Sequence, residues 1–196
     1  RTEEALKDPD LAEADRARME RGLRTIREPG ALLPDVAVEA KASLRLAGRA
    51  LELNVTERAV TESDVWVWDA ATSTVVAGDL VTLPVPLFDT GCPLGWLASL
   101  EAIAEKPFDR LIPGHGFIMD RSEFRTYRTA FENLVACAEE SDGRACAERW
   151  LSDAHALLSK AVGEDYADRD YARAAATYYV DRILRDAAKR REFCGA

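Results

Sequence analysis

The sequence has few histidines, no long apolar run and only one short basic cluster, Lys189-Arg190-Arg191, and each of these features restricts its functions. Its 196 residues contain two histidines, His115 and His155. No apolar run reaches the roughly 18 residues that a transmembrane helix needs. The net charge is −9, whereas a nucleic-acid-binding surface needs clustered Lys and Arg. We therefore expect neither a nucleic-acid partner nor a membrane partner.

Two short motifs at predicted strand ends carry residues that are suited to binding a metal. The β-branched and aromatic runs 65–68 and 74–77 flank a polar turn and predict a β-hairpin. Asp79 follows the second strand of this hairpin. His115 follows another short apolar strand, and Pro113, Gly114 and Gly116 enclose it in a turn that we expect to continue neither helix nor sheet. Since carboxylate and neutral imidazole are common ligands of zinc and iron, we predict Asp79 and His115 as metal ligands.

The order of these motifs resembles the metallo-β-lactamase superfamily. Between them lie a Pro-rich loop at 83–88 and a helix-like segment at 95–104 that contains Trp96, and the match covers about residues 31 to 120. The resemblance implies that Asp79 corresponds to the aspartate that bridges two metals and that His115 corresponds to the last histidine ligand. It also implies zinc or iron as the cofactor and a small molecule as the substrate.

The sequence departs from this family pattern in two places. The middle histidine of the family usually stands in an Ala-His-Thr step, which here reads Ala59-Val60-Thr61. Valine has no lone pair, so this ligand is lost unless the register differs or Glu57, Glu62 or Asp64 replaces it. The His-x-His-x-Asp-His loop of the family's N-terminal half is absent. Because a catalytic zinc site needs about three protein ligands, we expect a degenerate or incomplete site.

The resemblance implies an α/β (α+β) fold, namely the C-terminal half of an αββα sandwich followed by an α-helical C-terminal extension. We divide the chain into a helical segment at 1–30, a metallo-β-lactamase-like half-domain at 31–120 and a helical region at 121–196. A lone half-sandwich would leave one apolar sheet face uncovered, and such a patch usually marks an interface. The chain also begins with Arg. We expect a fragment or processed product whose sheet face is covered by a missing N-terminal half, a complementary chain or a homodimer partner.

Helical periodicity dominates outside this half-domain. Apolar residues recur at helical intervals over 11–26 until Pro29-Gly30, and arginines spread around that helix predict a solvated face. Further helices are predicted near 121–141, 144–162 and 166–191. We interpret His155 as a packing histidine of the second of these. The tyrosines of the last helix are interpreted as core or interface residues, and they are Tyr166, Tyr171, Tyr178 and Tyr179.

The four cysteines leave the cellular compartment open. Cys137 and Cys146 flank a predicted turn at 141–143, so a disulfide would form if the two flanking helices pack antiparallel. The alternative is a pair of buried thiols in a reducing cytosol. A periplasmic or secreted location and a cytoplasmic location are therefore equally consistent with the sequence. Cys92 lies in the loop after Asp79, but the sequence shows no base to activate it, so we do not predict a nucleophile.

These patterns are consistent with three functions. The first is the C-terminal part of a metal-dependent hydrolase that cleaves an acyl, ester, thioester or lactam-type bond and is not active as this chain alone. Its substrate cleft would be lined by Leu87, Phe88 and Trp96, unless Trp96 anchors its helix in the core. The second is a non-catalytic binding or assembly module of the same fold that has lost its metal site, as Val60 indicates. The third is a helical partner-binding domain on an unrelated small sheet, in which the two predicted ligands are coincidental.

Overall fold

The computed structural model describes residues 6–9, 11–31, 33–34, 36–161 and 169–195. The chain divides into two compact units, Arg1–Ala37 and Val38–Ala196. The first contains helix α1 (Glu13–Arg27), none of whose residues is buried. The Arg16 guanidinium donates hydrogen bonds to the carbonyl oxygens of Leu6 and Asp8, ahead of the helix. The three-segment division at residues 30 and 120 stays a prediction.

The second unit is built on a mixed five-stranded sheet with the strand order β1-β2-β3-β4-β5. The first four strands are antiparallel neighbours, whereas β5 pairs parallel with β4 at the edge of the sheet. The predicted hairpin is confirmed as β3 and β4, and β1 was not predicted. The strands are β1 (Ala42–Leu46), β2 (Arg49–Glu57), β3 (Ser63–Asp69), β4 (Thr74–Thr82) and β5 (Arg110–His115).

Six helices follow or interrupt the sheet in the same unit. Two helices that the sequence predicts as continuous are broken. The first breaks at Ala154. The second breaks before Asp186, whose carboxylate accepts the backbone N–H groups of Ala188 and Lys189 and so caps a new helix. Tyr166 lies outside the described residues. The helices are α2 (Pro93–Ala104), α3 (Arg121–Glu140), α4 (Gly143–Asp153), α5 (His155–Lys160), α6 (Arg169–Tyr179), which continues into a π-helical turn (Val180–Leu184), and α7 (Ala187–Cys194).

One face of the sheet and the helices enclose a single core. Trp66, Val75 and Leu111 point into it from neighbouring strands, as the alternation of side chains along a strand requires. Aromatic rings fill its centre: the ring centroids of Phe88 and Trp96 lie 5.0 Å apart, and those of Trp96 and Phe131 also 5.0 Å. The fold is therefore mixed α/β, as predicted. The described residues form a five-stranded sheet and seven α-helices.

The opposite face of the sheet has no helix against it in the described part of the unit. One row of apolar residues crosses all five strands in register on this face, and each of them is half-buried or exposed. The side chains of Val76 and Ile112 are each 38% exposed. We call this surface the open sheet face, and its central row is Ala42, Leu53, Val67, Val76 and Ile112.

Two disulfides pair all four cysteines. Cys137 and Cys146 join the end of α3 to α4, with a Cα to Cα distance of 5.6 Å, which is the bridge considered from the sequence. Cys92, just ahead of α2, is joined to Cys194 at the end of α7, and this pairing was not predicted. The second bridge links residues 102 positions apart, so the C-terminal helix is tied covalently to the middle of the chain.

One interpretation of the helical region is wrong, and another is confirmed only in part. His155 is exposed at the start of the short helix α5, beside the guanidinium of Arg169, and does not pack into the core. Of the predicted core or interface tyrosines, Tyr179 is buried, whereas Tyr171 and Tyr178 are exposed and their role at an interface stays a prediction. The buried face of this helix carries Ala172, Ala176 and Tyr179. Among the described residues, no helix is long and apolar enough to cross a membrane.

Candidate functional site

The two predicted ligands meet at one edge of the sheet. Because β4 and β5 run parallel, their carboxyl ends lie side by side. Nε2 of His115 lies 3.7 Å from Oδ1 of Asp79. Their side chains are 41% and 61% exposed, respectively, so both groups are open to a ligand from outside. The structure thus places together a carboxylate and an imidazole that are 36 residues apart in the sequence.

The backbone around the pair differs from the prediction. Asp79 lies inside β4 rather than beyond its end, and β5 continues through Pro113 and Gly114 to His115. The expectation that the residues around His115 form a turn outside the sheet is wrong. Proline is tolerated here because β5 is an edge strand, where a missing N–H donor removes no ladder bond on the outer side. The pairing is irregular on both sides of Gly78, and Asp79 lies in this irregular stretch.

Two glycines allow the close approach of the two strands. Gly78 has a positive φ of 59°, which a residue with a Cβ adopts only with strain. Gly114 has an ordinary φ, but it packs directly against the preceding strand. A Cβ on Gly114 would overlap the Oδ1 atom of Asp79 and would lie 2.6 Å from the carbonyl carbon of Gly78. The small residue beside His115 is therefore what leaves room for the Asp79 carboxylate.

Hydrogen bonds within the protein hold the backbone around Asp79 and His115 in place. The hydroxyl of Thr82 donates to the carbonyl oxygen of Asp79 at 2.9 Å, and the backbone N–H of Leu83 donates to the carbonyl oxygen of His115 at 3.1 Å. The N–H of Thr82 donates to the hydroxyl of Tyr127, a fully buried side chain of α3. Burial holds the pKa of Tyr127 well above its usual range, and the negative charge of Asp79 adds to this shift. The hydroxyl of Tyr127 thus supports the backbone of Thr82 from the core.

Val60 lies in the loop between β2 and β3. Its side chain packs partly against the core. The carboxylate of Asp64 accepts the backbone N–H groups of Val60 and Thr61, at 2.9 and 3.0 Å, and the hydroxyl of Thr90 donates to the Val60 carbonyl. Asp64 therefore closes this loop. Both backbone polar groups of Val60 are bonded within the protein, and its isopropyl side chain offers no metal ligand.

The residues proposed to line a substrate cleft are mostly in the core. Phe88 and Trp96 have no solvent exposure, and Leu87 is half-buried. The indole N–H of Trp96 donates to the carbonyl oxygen of Leu80 at 2.9 Å, one residue beyond Asp79. Trp96 therefore anchors α2 to the strand that carries the candidate ligand, as the alternative interpretation proposed.

The donors present are too few for a complete catalytic zinc site. Within the described residues, no group of three or more His, Cys, Asp or Glu side chains could hold a metal ion. Asp79 and His115 supply two donors, whereas catalytic zinc sites have about three protein ligands. The chain's own described residues therefore do not fit a tightly bound zinc, and no catalytic step follows from them alone.

Comparison with known proteins gives similarity of fold only. No family model matches the sequence, and no curated protein matches it. Among solved structures, the chain is similar to a metallo-β-lactamase from Pontibacter korlensis, with 18% identity and a TM-score of 0.45 over 51% of this chain and 49% of that one. It is similar to the metallo-β-lactamase DIM-1, with 19% identity and a TM-score of 0.41 over 47% and 44% of the two chains. It is also similar to the sec-alkylsulfatase Pisa1 from Pseudomonas sp., with 17% identity and a TM-score of 0.46 over 79% and 28%.

The coverage of these matches is partial. The chain spans about half the length of the two metallo-β-lactamases and less of the alkylsulfatase. The similarity is therefore one of fold, to a part of each of these proteins.

Proposed function

We propose that this chain supplies one side of the metal site of a metallo-β-lactamase-type hydrolase, with Asp79 and His115 as its two ligands. The observation that carries the proposal is the pair itself, 3.7 Å apart and accessible at the carboxyl ends of two parallel strands. Gly114 supports the same assignment, because a residue with any side chain there would displace the Asp79 carboxylate. The metal would be zinc or iron, and the bond cleaved an acyl, ester, thioester or lactam-type bond.

The remaining ligands come, in this proposal, from the polypeptide that covers the open sheet face. That face carries an apolar row in register across all five strands, and Leu46 and Val65 beside it are 58% and 46% exposed. Apolar strands of this kind are typically packed against a second sheet. A second sheet at this position would bury the row and bring its own strand-end loops to the edge that holds Asp79 and His115. The chain alone would then have no hydrolase activity.

A second candidate function is favoured by Val60. In this alternative the chain is a binding or assembly module that has lost its metal site. Val60 packs against the core, and both of its backbone polar groups are bonded within the protein. Its loop is therefore held in place without a metal. Such a module would use the open sheet face for assembly and would bind no zinc through Asp79 and His115.

A zinc titration of matched variants separates the two functions. Zinc affinity is measured by competition with a chromophoric chelator for the wild type, Asp79→Ala and His115→Ala. The controls are Asp109→Ala and His155→Ala, which remove one exposed residue of each type outside the pair. The hydrolase proposal predicts weak zinc binding that falls about tenfold or more in each site variant, since each loses one of two ligands, and that is unchanged in the controls. Equal affinity in all five proteins would contradict the ligand assignment, and no binding by the wild type would favour the module.

A further inference from the structure

A second concave site lies away from Asp79 and His115. It is a cleft of about 310 Å³ between the start of α2, the second half of α3 and α7, and we call it the α7 cleft. Its volume falls at the lower end of the range of small-molecule sites, about 300 to 1,000 Å³. Apolar side chains make up most of its wall, among them Leu94, Val135 and Leu184. The side chain of Leu94 is 71% exposed at the mouth of the cleft.

Two guanidinium groups lie at the mouth of this cleft. Arg190 and Arg191 both contribute to its lining. Within the part of the chain that the structure describes, neither guanidinium makes an ion pair or a hydrogen bond, whereas the neighbouring Lys189 pairs with Glu192. In a chain of net charge −9, two adjacent guanidinium groups on an apolar cleft favour an anion.

The helix that forms another wall adds to this preference. α2 begins at Pro93, and the residue before it provides no side-chain cap. The first-turn N–H groups of a helix have no partner within the helix, and they give its N-terminus a partial positive charge. Glu139 of α3 also lines the cleft. Among the residues that line the cleft, two guanidinium groups and the helix terminus stand against this single carboxylate, and the charge of Asp186 at the start of α7 also acts on Arg191.

We propose that the α7 cleft binds a small amphipathic carboxylate, such as a medium-chain or aryl-substituted acid. Its apolar body would lie against Leu94, Val135 and Leu184, and its carboxylate would accept hydrogen bonds from Arg190 and Arg191. Guanidinium groups recognise a carboxylate through two parallel N–H donors, which gives direction as well as attraction. This site is independent of the proposed metal site and of its outcome.

The Cys92–Cys194 disulfide holds two walls of the α7 cleft together. None of the residues of α7 is buried, so packing against the core holds this helix only weakly. The bridge ties the last residue of α7 to the position just before α2, and Cys194 itself lines the cleft. Two walls of the cleft are therefore joined covalently, which lowers the entropic cost of ordering them around a ligand.

The test is a titration of the full chain with 4-phenylbutyrate, followed by isothermal calorimetry and by chemical shifts of the backbone amides. We expect saturable one-to-one binding with amide shifts at Leu94 and at residues 187–194. The double variant Arg190→Gln, Arg191→Gln should weaken binding about tenfold or more, the usual size of a lost charge-assisted contact. Arg182→Gln, an exposed arginine of the π-helical turn outside the cleft, is the matched control and should change the Kd less than about twofold.

Three outcomes would overturn the proposal. The first is the absence of saturable binding. The second is equal weakening by the double variant and by the Arg182 control, which would indicate a general charge effect. The third is equal affinity for 4-phenylbutanamide, which keeps the apolar body and lacks the negative charge. Neither Arg190 nor Arg191 is buried, so the double variant should remain folded, and a thermal melt verifies this.

Discussion

Replacing Gly114 by alanine is the sharpest test of how the candidate ligands are held together. The added Cβ would overlap Oδ1 of Asp79 and would lie 2.6 Å from the carbonyl carbon of Gly78 and 2.8 Å from the nitrogen of Asp79. Two of these three neighbours are backbone atoms of the adjacent strand, so a side-chain rotation alone cannot relieve the overlap. The β4–β5 pairing must open, or the Asp79 carboxylate must move away from His115.

The loss of stability caused by Gly114→Ala follows from the usual cost of overpacking a protein interior. Inserting a methyl group into a packed region costs about 1 to 3 kcal/mol, and we take about 2 kcal/mol because both strands must shift. For a unit of this size, each kcal/mol lowers Tm by about 2 to 4 °C. Gly114→Ala should therefore melt about 4 to 8 °C below the wild type in a calorimetric scan, and it should also bind zinc more weakly.

A control glycine without neighbours completes this experiment. Gly22, within α1, has an ordinary φ, and a Cβ added there meets nothing within 4 Å. Gly22→Ala should not destabilise the protein, because alanine favours a helix more than glycine does. If Gly114→Ala melts at the wild-type temperature and keeps wild-type zinc affinity, the inference that β4 and β5 are packed too closely for a side chain at this position is wrong.

Three further predictions concern other parts of the chain. A hydrogen bond from Lys106 lowers the pKa of Glu52 to about 2, so Glu52 contributes stability above its unfolded pKa that is lost as the pH falls from about 4.5 through 2. Solvent screening reduces this to about 1 kcal/mol, and Lys106→Met should flatten the dependence of urea unfolding on pH in that range. Val60→His should tighten zinc binding about tenfold if this loop faces the metal, since it adds an imidazole ligand, and unchanged affinity in the chelator competition would favour the non-catalytic module. Replacing Cys92 and Cys194 by serine removes a cross-link between residues 102 apart. Because the unfolded chain is then less restricted, the free energy of unfolding should fall by about 4 to 5 kcal/mol. An unchanged Tm in a non-reducing scan would contradict this pairing.

The sequence predicted the local elements that positioned the candidate ligands. Alternating β-branched and aromatic residues indicated β3 and β4, and the short strand before His115 indicated β5. The order of the motifs then indicated that Asp79 and His115 belong together. It did not indicate that β5 continues through Pro113, because that depends on β5 being the edge strand, which only the completed sheet shows.

Long-range features could not be read from local patterns. The Cys92–Cys194 bridge joins residues 102 apart, and no periodicity relates them. The burial of α6 through its small residues and Tyr179 depends on which helix packs against it, so the sequence could not separate the buried Tyr179 from the exposed Tyr171 and Tyr178. The α7 cleft likewise arises from three helices that are separated along the chain and could not be predicted from any one of them.

The assignment of Asp79 and His115 as metal ligands is decided by anomalous diffraction at the zinc edge from crystals of the chain grown with zinc. We expect an anomalous peak within about 2.0 to 2.2 Å of one imidazole nitrogen of His115 and of a carboxylate oxygen of Asp79, the usual zinc distances. Zinc bound only elsewhere, with no anomalous peak beside this pair, would show that these two residues are not ligands.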